Sequence, residues 1–442
     1  MKICFNYSVS VLSAFLIWSI FFLINTMAKN WENDSRVKNF RDYLRIRSVQ
    51  PNINYDECLV YLRAQAEGLG LPVSVFEPVP KKPVLIMTWE GTDPSLPSIM
   101  LNSHMDVVPV FENSWTHPPF DAHMDKDGVI YARGAQDMKS VAVQYIEAVR
   151  QLKTSGIKLK RTVHLSFVPD EEIGGALGMA KFVKTEDFKK LNVGFSLDEG
   201  MASEGEEYIV FHGERSVWHV DFHCSGKSGH GSLLFPNTAG EKITYIINKL
   251  MDLRETEKKK LEDPELTVGD VTTVNMTKLS GGVQSNVVPE VLSVTFDIRL
   301  ALSVKHDEFS AMLERWASEA GDGVRVEYEQ KDIHVDPTPI DNSNPFWVAF
   351  KNTADNKLKL KTRVFPGGTD SRYVRDLGVP ALGFSPMSRT PVQLHQHNES
   401  LSADTFLHGI HIYESLVTEV ACPTHRARPN KETPRLLRTK TL

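Results

Sequence analysis

The chain has 442 residues, of which 41% are hydrophobic and 24% charged, and its formal net charge is −6. This length favours two domains over a single core, and the composition is ordinary for a soluble globular protein. The acidic balance argues against a nucleic-acid-binding protein, which would carry a basic surface. The four cysteines are scattered without a Cys-x-x-Cys pair, so any metal would be held by His, Asp and Glu.

The first thirty residues leave the cellular location open. Residues 9–24 are apolar apart from three serines, which is slightly short for a membrane span and slightly long for a signal-peptide core. A signal anchor and an extension before a second start at Met27 both remain possible readings. Asn398-Glu399-Ser400 is a glycosylation sequon beside a histidine pair, and a glycan would crowd that pair. We therefore expect a cytoplasmic protein, with membrane-anchored or secretory location as the alternative, and membrane contact only through residues 9–24 if they are retained.

The first half of the chain predicts helices that alternate with short apolar strands. Helical spacing of apolar residues covers residues 35–44, 56–69 and 138–152. Strands are predicted from the apolar runs at residues 84–89, 99–103, 162–168 and 193–197. This alternation indicates a largely parallel sheet and an α/β fold.

The pattern changes near Ser216. A β-α-β-β-α-β order is predicted from residues 217–223, 239–257, 271–279, 291–300, 304–320 and 324–328. Such an order is typical of a compact inserted α+β domain with one exposed antiparallel face. After Asn342 the α/β pattern resumes, with strands at residues 364–365 and 381–384.

Three carboxylates, Asp170, Glu171 and Glu172, stand directly after the predicted strand at residues 162–168. The carboxyl ends of strands are where open α/β sheets place their chemistry. Adjacent carboxylates repel one another, and loops rarely gather them without a cation or a catalytic task. The alternative is a solvated acidic turn.

His104 and Asp106 follow another predicted strand, and residues two apart in an extended chain point the same way. Asp106 can therefore approach the His104 ring and fix its tautomer, as carboxylates do for metal-bound histidine. A plain surface turn is the competing interpretation.

Further candidate ligands also lie at predicted element ends. Asp137 precedes a helix, where it could serve only as an N-cap, and Glu199 follows the strand at residues 193–197. His395 and His397 follow a late loop, and either could be a surface histidine. Two His and three or more carboxylates suit a pair of zinc ions that share a bridging carboxylate.

With these residues in place, the chain resembles the M20 family of zinc metallopeptidases, which includes aminoacylases and carboxypeptidases. The resemblance runs from about Asn33 to about Val417 and is carried, in family order, by the segments at residues 101–109, 131–139, 169–172, 381–387 and 394–395. It implies a zinc-peptidase-like catalytic domain with a mostly parallel sheet. It also implies an inserted ferredoxin-like domain that acts as lid and dimerisation unit.

The resemblance implies two Zn²⁺ per subunit. One zinc would be held by His104, Asp137 and Glu199. The other would be held by Asp137, Glu172 and His395, with Asp137 bridging. Asp106 would orient His104, and Glu171 would be the general base and acid. The family pattern His-x-x-Asn/Asp-Glu selects His395 over His397, whose role stays open.

Substrate contacts are implied in the same way. His230, in Ser228-Gly229-His230-Gly231-Ser232, would stabilise the oxyanion in the partner's active site of a homodimer. Asn286 and Arg299 match substrate-binding positions, and Arg372 would pair with the substrate carboxylate. Without the resemblance, His230 would be an exposed loop residue and Arg299 could simply pair with Asp297.

The expected activity is zinc-dependent hydrolysis of N-acyl-L-amino acids to a carboxylate and an L-amino acid. Alternatives are a metallo-dipeptidase or carboxypeptidase of the same family, and a non-catalytic scaffold. The expected division of the chain is an apolar segment (1–27), a catalytic domain in two parts (28–212 and 334–421), the inserted domain (213–333) and a disordered basic tail (422–442). The apolar segment departs from the family's cytosolic enzyme, and a secreted branch of the family also handles N-acyl amino acids.

Overall fold

The computed structural model describes residues 30–355 and 358–422. The apolar segment at residues 1–27 and the predicted tail beyond Cys422 lie outside these described residues. Within them, no helix combines the length and the apolar character needed to cross a membrane.

The helices and strands of the described residues are as follows. The α-helices are α1 (Ser35–Leu44), α2 (Asp56–Leu69), α3 (Lys139–Thr154), α4 (Met179–Phe182), α5 (Glu186–Lys190), α6 (Ala239–Lys260), α7 (His306–Ala320), α8 (Pro345–Asp355), α9 (Ser371–Asp376) and α10 (Ala403–Ala421). The strands of the larger sheet are β1 (Val73–Val79), β2 (Lys82–Trp89), β3 (Ser98–His104), β6 (Val163–Val168), β7 (Val193–Asp198), β8 (Glu207–Glu214), β15 (Lys359–Phe365) and β16 (Ala381–Phe384). The remaining strands are β4 (His123–Met124), β5 (Val129–Tyr131), β9 (Ser216–Ser225), β10 (Gly229–His230), β11 (Thr273–Gly281), β12 (Val287–Val288), β13 (Val291–Leu300), β14 (Val324–Lys331) and β17 (Ser400–Ser402).

The larger sheet has eight strands in the order β1-β2-β6-β3-β7-β16-β8-β15. Its centre, β6-β3-β7-β16, is parallel, and antiparallel pairs occur only at β1/β2, β2/β6 and β16/β8. Every residue of β3 and β6 is buried, because apolar layers cover both faces of the sheet. Leu85 and Met87 belong to one layer, and Val84 and Ile86 to the other. The predicted α/β class with a mostly parallel sheet is confirmed.

The smaller, four-stranded sheet is antiparallel throughout, in the order β11-β13-β9-β14. On β9, Trp218, Val220 and Phe222 point into a separate core that α6 and α7 complete. The alternate residues His219 and Asp221 lie half-buried on the other face. We call residues 216–331 the inserted unit; its strand order is that of a ferredoxin-like fold. The predicted domain boundaries stay predictions; the four strands of the smaller sheet lie within residues 213–333, and those of the larger sheet lie outside that range except for the last two residues of β8.

The sequence patterns did not predict several strands of the larger sheet and some of the helices. Strand β15 begins at Lys359 rather than Val364, because its exposed positions are polar and conceal the strand. Polar and basic residues are usual on an edge strand, where they discourage pairing with another chain. The strands β1 and β8 and the helices α8 and α10 were also not predicted.

Candidate metal centre and active site

The predicted site residues meet at one edge of the larger sheet. Strands β3, β6 and β7 are parallel neighbours, so their carboxyl ends lie side by side. His104 ends β3, Glu171 and Glu172 follow β6, and Glu199 follows β7. Asp137 precedes α3, and His395 comes from the loop before β17.

The Asp137 carboxylate lies between two imidazole rings. Its Oδ1 is 3.0 Å from His104 Nε2, and its Oδ2 is 3.2 Å from His395 Nε2. Each ring also has a glutamate beside it: Glu199 Oε2 lies 3.7 Å from His104 Nε2, and Glu172 Oε2 lies 3.0 Å from His395 Nε2. The structure thus brings all five predicted ligands together, in an arrangement that offers two adjacent sets of donors.

Two sets of donor atoms are close enough to hold a metal ion. One comes from His104, Glu171 and Glu199, and the other from His104, Asp137 and Glu172, with all atoms of a set within 4.8 Å of one another. Nitrogen and carboxylate oxygen are donors that zinc accepts.

Asp106 organises the site through two different groups. Its backbone oxygen is 2.9 Å from His104 Nδ1, whereas its carboxylate is 3.6 Å away. The carbonyl thus accepts the Nδ1 proton and leaves Nε2 free to face Asp137. The Asp106 carboxylate instead accepts the backbone N–H groups of Glu171 (3.2 Å) and Glu172 (3.1 Å).

The turn that carries the two glutamates is held by residues that the sequence analysis missed. Asp170 has a φ of 63° and accepts hydrogen bonds from Tyr55 Oη at 2.7 Å and Gln50 Nε2 at 3.0 Å. Lys82 Nζ forms an ion pair with Asp170 at 2.6 Å. Because their partner is far away in sequence, no local pattern marks Gln50, Tyr55 or Lys82.

Glu399 holds the loop before α3 in a similar way. It is fully buried and accepts the backbone N–H groups of Gln136 (2.6 Å) and Asp137 (3.1 Å), while Arg133 Nη1 donates to it at 2.8 Å. The family pattern around His395 contains Glu399, but the sequence alone assigns it no partner.

The electrostatics of the cluster favour bound cations. Burial raises the pKa of Glu171 well above its usual range, and the charge of Glu199 adds to the rise. Burial and the nearby Asp137 raise the pKa of Glu172 to about 7. For Asp137, burial alone would raise the pKa, but hydrogen bonds with His104 and His395 lower it. Several carboxylates this close would hold protons unless positive charge replaces them.

A cavity of about 440 Å³ opens over the cluster, between the sheet edge and the inserted unit. Arg372 of α9 and Arg299 of β13 both line it. Arg372 is half-buried and donates through Nη2 to the Gly174 oxygen at 2.8 Å. Arg299 forms a double hydrogen bond with Asp297, at 2.7 and 2.8 Å, so the strand pairing considered for it is present.

His230 and Asn286 lie elsewhere on the same chain. His230 is exposed on β10, and Asn286 O accepts the N–H of the adjacent Gly231 at 2.7 Å. Neither residue is among those that line the cavity. His397 is also exposed, and its ring meets the edge of Phe111 at 6.1 Å between centroids.

Comparison with known families gives a match to the family described as Peptidase family M20/M25/M40 over residues 100–419. The chain is 50% identical to aminoacylase-1 of Mus musculus, over 86% of this chain and 94% of that relative. It is 47% identical to aminoacylase-1 of Homo sapiens, over 88% and 96%, and 40% identical to aminoacylase-1 of Dictyostelium discoideum, over 87% and 97%.

Solved structures share the fold at lower identity. An M20 family metallo-carboxypeptidase from Sulfolobus solfataricus has a TM-score of 0.68 at 19% identity, covering 88% of this chain and 99% of that one. A dinuclear metal binding peptidase from Bacillus subtilis has a TM-score of 0.64 at 18% identity, covering 88% and 98%. The chain therefore belongs to peptidase family M20/M25/M40, where its relatives at 40–50% identity are aminoacylase-1 enzymes.

Proposed function

We propose that the chain hydrolyses N-acyl-L-amino acids to a carboxylate and an L-amino acid, with two Zn²⁺ per subunit. The observation that carries the proposal is the Asp137 carboxylate between His104 and His395, each with its own glutamate, beneath a cavity that Arg372 lines. The identity of 40–50% to aminoacylase-1 over most of the chain supports this substrate class.

The donor set fits a pair of divalent cations. Glu172 Oε1 is buried without a hydrogen-bond partner among the described residues, and a buried carboxylate oxygen needs a proton or a cation. His104, Asp137 and Glu199 would hold one ion; Asp137, Glu172 and His395 would hold the other. When bound, such ions supply electrophilic activation of the substrate carbonyl and of a water molecule.

Glu171 is the proposed general base and acid. Its carboxylate lines the cavity, with Oε2 4.0 Å from His104 Nε2. There it accepts the proton of the attacking water and returns it to the departing amine. Burial and Glu199 raise the pKa of Glu171, which suits a group that must take up a proton and then give it back.

The remaining contacts are assigned to binding. Arg372 pairs with the substrate carboxylate, and Arg299 contacts the rest of the substrate. Asn286, which lies beside Gly231 and outside the cavity of its own chain, would contact substrate from the partner subunit, as is proposed for His230. His230 donates to the oxyanion in the partner subunit of a homodimer; its exposure and its absence from the lining of its own cavity support action in trans. One donor to an oxyanion typically contributes about 3 kcal/mol.

Replacement of Glu171 tests the proposed chemistry. Glu171→Ala should keep two zinc ions per subunit and lose roughly 10²–10⁴-fold in kcat, since only the proton-transfer group is removed. Glu172→Ala is the contrast, because it should lose zinc. Metal analysis and N-acetyl-L-methionine hydrolysis measure both effects, and near-normal turnover by Glu171→Ala would refute its role.

A panel of substrates distinguishes the proposed aminoacylase activity from that of a dipeptidase or carboxypeptidase. Zinc-loaded protein should hydrolyse N-acetyl-L-methionine with a higher kcat/KM than unblocked dipeptides. A preference for dipeptides or for peptide carboxyl termini would overturn the aminoacylase assignment while leaving the metal centre intact.

We also keep the cytoplasm as the proposed location. Asn398 lies three positions after His395 in the sequence, and its Oδ1 accepts the backbone N–H of Thr116 at 2.7 Å. A glycan on Asn398 would therefore stand close to the proposed metal ligands. Fractionation of cells that express the full chain, with a glycosidase digest, tests this; a glycosylated or membrane-bound product would contradict it.

A further inference from the structure

Two consecutive charged residues contact residues 366–370, which lead from β15 into α9 and its Arg372; we call residues 366–370 the Arg372 loop. Glu214 ends β8 and Arg215 precedes β9, and their side chains are only 7% and 5% exposed. Charged groups are almost never buried to this extent without partners, so their contacts indicate what they do.

Glu214 holds the middle of the loop. Its Oε2 accepts the backbone N–H of Thr369 at 2.7 Å and the Thr369 hydroxyl at 2.8 Å. Its Oε1 lies 3.6 Å from Nη1 of the buried Arg375. The Thr369 hydroxyl oxygen also accepts the N–H of Ser371 at 3.2 Å. Glu214 therefore fixes the backbone on the approach to Arg372.

Arg215 holds the start of the same loop and connects it to the inserted unit. Its Nε donates to the Pro366 oxygen at 3.0 Å. Its Nη1 donates to the Thr273 hydroxyl at 2.9 Å and to the Val271 oxygen at 3.2 Å. A single guanidinium thus joins the Arg372 loop to the start of the strand β11 in the inserted unit.

The position of the Arg372 side chain depends on this loop. Its guanidinium packs so tightly on Gly368 that a Cβ there would lie 2.0 Å from Nη1. Nη2 donates to the Gly174 oxygen at 2.8 Å, and Tyr373 Oη donates to the same oxygen at 2.6 Å. Arg372 is therefore wedged between the loop and the turn that carries Glu171.

We propose that Glu214 and Arg215 are positioning residues that set Arg372 for the substrate carboxylate and so make the enzyme select acids over their neutral amides. This inference rests on the proposed role of Arg372. Two parallel N–H···O bonds to a carboxylate demand a fixed guanidinium, and a loop displaced by about 1 Å breaks that geometry. Neither residue needs to touch the substrate.

The test compares an acid with its amide in full-length, zinc-loaded enzyme. The readout is the ratio of KI for N-acetyl-L-methionine amide, used as a competitor, to KM for N-acetyl-L-methionine. Glu214→Gln and Arg215→Met should each lower this ratio at least five-fold, mainly through a higher KM for the acid. Arg372→Met is the positive control and should lower it further.

Glu147→Gln is the matched control for loss of a buried carboxylate. Glu147 lies on α3, is 2% exposed, and pairs with Arg150 and Asn39 far from the cavity lining. This variant should leave the ratio unchanged. Thr369→Val removes one donor to Glu214 without removing a charge, and it replaces Glu214→Gln if that variant does not fold; it should also lower the ratio.

The two proposals fail differently. An unchanged ratio in Arg372→Met would overturn the carboxylate-binding role of Arg372. A lowered ratio in Arg372→Met, with an unchanged ratio in the Glu214, Arg215 and Thr369 variants, would overturn the positioning role alone. An equal weakening of acid and amide in those three variants would mean a general defect and would also overturn it.

Discussion

At the scale of single residues, Glu171 and Glu172 are neighbours in sequence that face different partners. Glu172 Oε2 lies 3.0 Å from His395, whereas Glu171 Oε2 lies 4.0 Å from His104. Asp170, which has a left-handed backbone conformation, precedes the short helical turn that contains both glutamates. The Asp106 carboxylate accepts the backbone N–H groups of both residues. The chemistry of each glutamate is therefore decided by the backbone of the turn, because the side chains are identical.

His164 gives a residue-scale prediction for the pH dependence of stability. Burial lowers its pKa to about 4, and its ring lies 3.1 Å from the Leu191 oxygen and 3.0 Å from Thr88 Oγ1. The unfolded chain, with an ordinary histidine pKa of about 6.5, binds the proton more readily between these values. His164 therefore destabilises the folded protein as pH falls below about 6.5, by on the order of 1 kcal/mol at pH 5.5.

Urea unfolding at pH 7.5 and pH 5.5, with chelator present throughout, measures this effect. His164→Gln should lose less free energy of unfolding between the two pH values than the unaltered protein. The exposed His408 provides the control, since His408→Gln should behave like the unaltered protein. An identical pH dependence in all three proteins would contradict a buried neutral His164.

At the scale of elements, the cavity is built from loops that rigid strands hold in place. The Arg372 loop (residues 366–370) follows the edge strand β15 and precedes α9, and it is fixed by residues at the end of β8 and before β9. Arg299 approaches from β13 of the inserted unit. The proposed substrate contacts of Arg372 and Arg299 thus depend on the register of strands from two different sheets.

Gly368, in the Arg372 loop, is a position where a side chain would clash with the Arg372 guanidinium. A methyl group on Gly368 would meet Nη1 of Arg372 at 2.0 Å, so Gly368→Ala should fold but move the guanidinium. Loss of one charge-assisted hydrogen bond costs about 1.5–3 kcal/mol, which corresponds to a rise in KM of roughly 10–100-fold. Steady-state kinetics on N-acetyl-L-methionine measures it.

Gly378→Ala is the comparison for that variant. Gly378 precedes the strand β16, and a Cβ there meets nothing within 4 Å, so Gly378→Ala adds backbone strain at a positive φ without a steric clash. A KM that rises equally in both variants would remove the case for steric displacement of Arg372.

At the scale of the whole molecule, one chain brings the candidate metal ligands together but leaves His230 on an exposed surface. Strand β11 of the same inserted unit is exposed along most of its length and forms an edge of the smaller sheet. Exposed edge strands are templates for pairing with a second chain. These features support the proposed homodimer with His230 acting in trans.

Mixed dimers test this arrangement. His230→Ala and Glu171→Ala homodimers should each be nearly inactive, since each subunit lacks one contribution to every site. Mixing and reassembly should restore activity, because a quarter to a half of the sites then combine an intact Glu171 with an intact partner His230. Sedimentation and activity measurements follow the exchange, and no recovery in verified mixed dimers would place His230 outside the partner's site.

Removal of metal is a second whole-molecule prediction. The cluster joins the ends of β3, β6 and β7 to the start of α3 and to a late loop, so bound ions should stabilise the fold by mass action. Chelation should abolish hydrolysis and lower Tm, and added Zn²⁺ should restore both. Full activity in protein shown to be free of metal would contradict the proposed cofactor.

The sequence by itself determined the fold class and the residues of the cluster. The apolar runs of β3, β6 and β7 were readable because both faces of these strands are buried, and His104, Glu171, Glu172 and Glu199 stand at their ends. The family resemblance selected His395 over His397 and assigned the bridging position to Asp137. Polar or edge elements such as β15 were read only in part, since their patterns resemble those of loops.

Only the tertiary structure decided what holds these residues in place. Tyr55 meets Asp170 across 115 positions of sequence, and Gln136 meets Glu399 across 263. Glu214 meets Thr369 across 155. Such contacts depend on strand order and on the path of buried loops, which local periodicity does not encode. Short sequence motifs thus identify the reacting groups, whereas the geometry of these groups depends on hydrogen bonds between residues that only folding brings together.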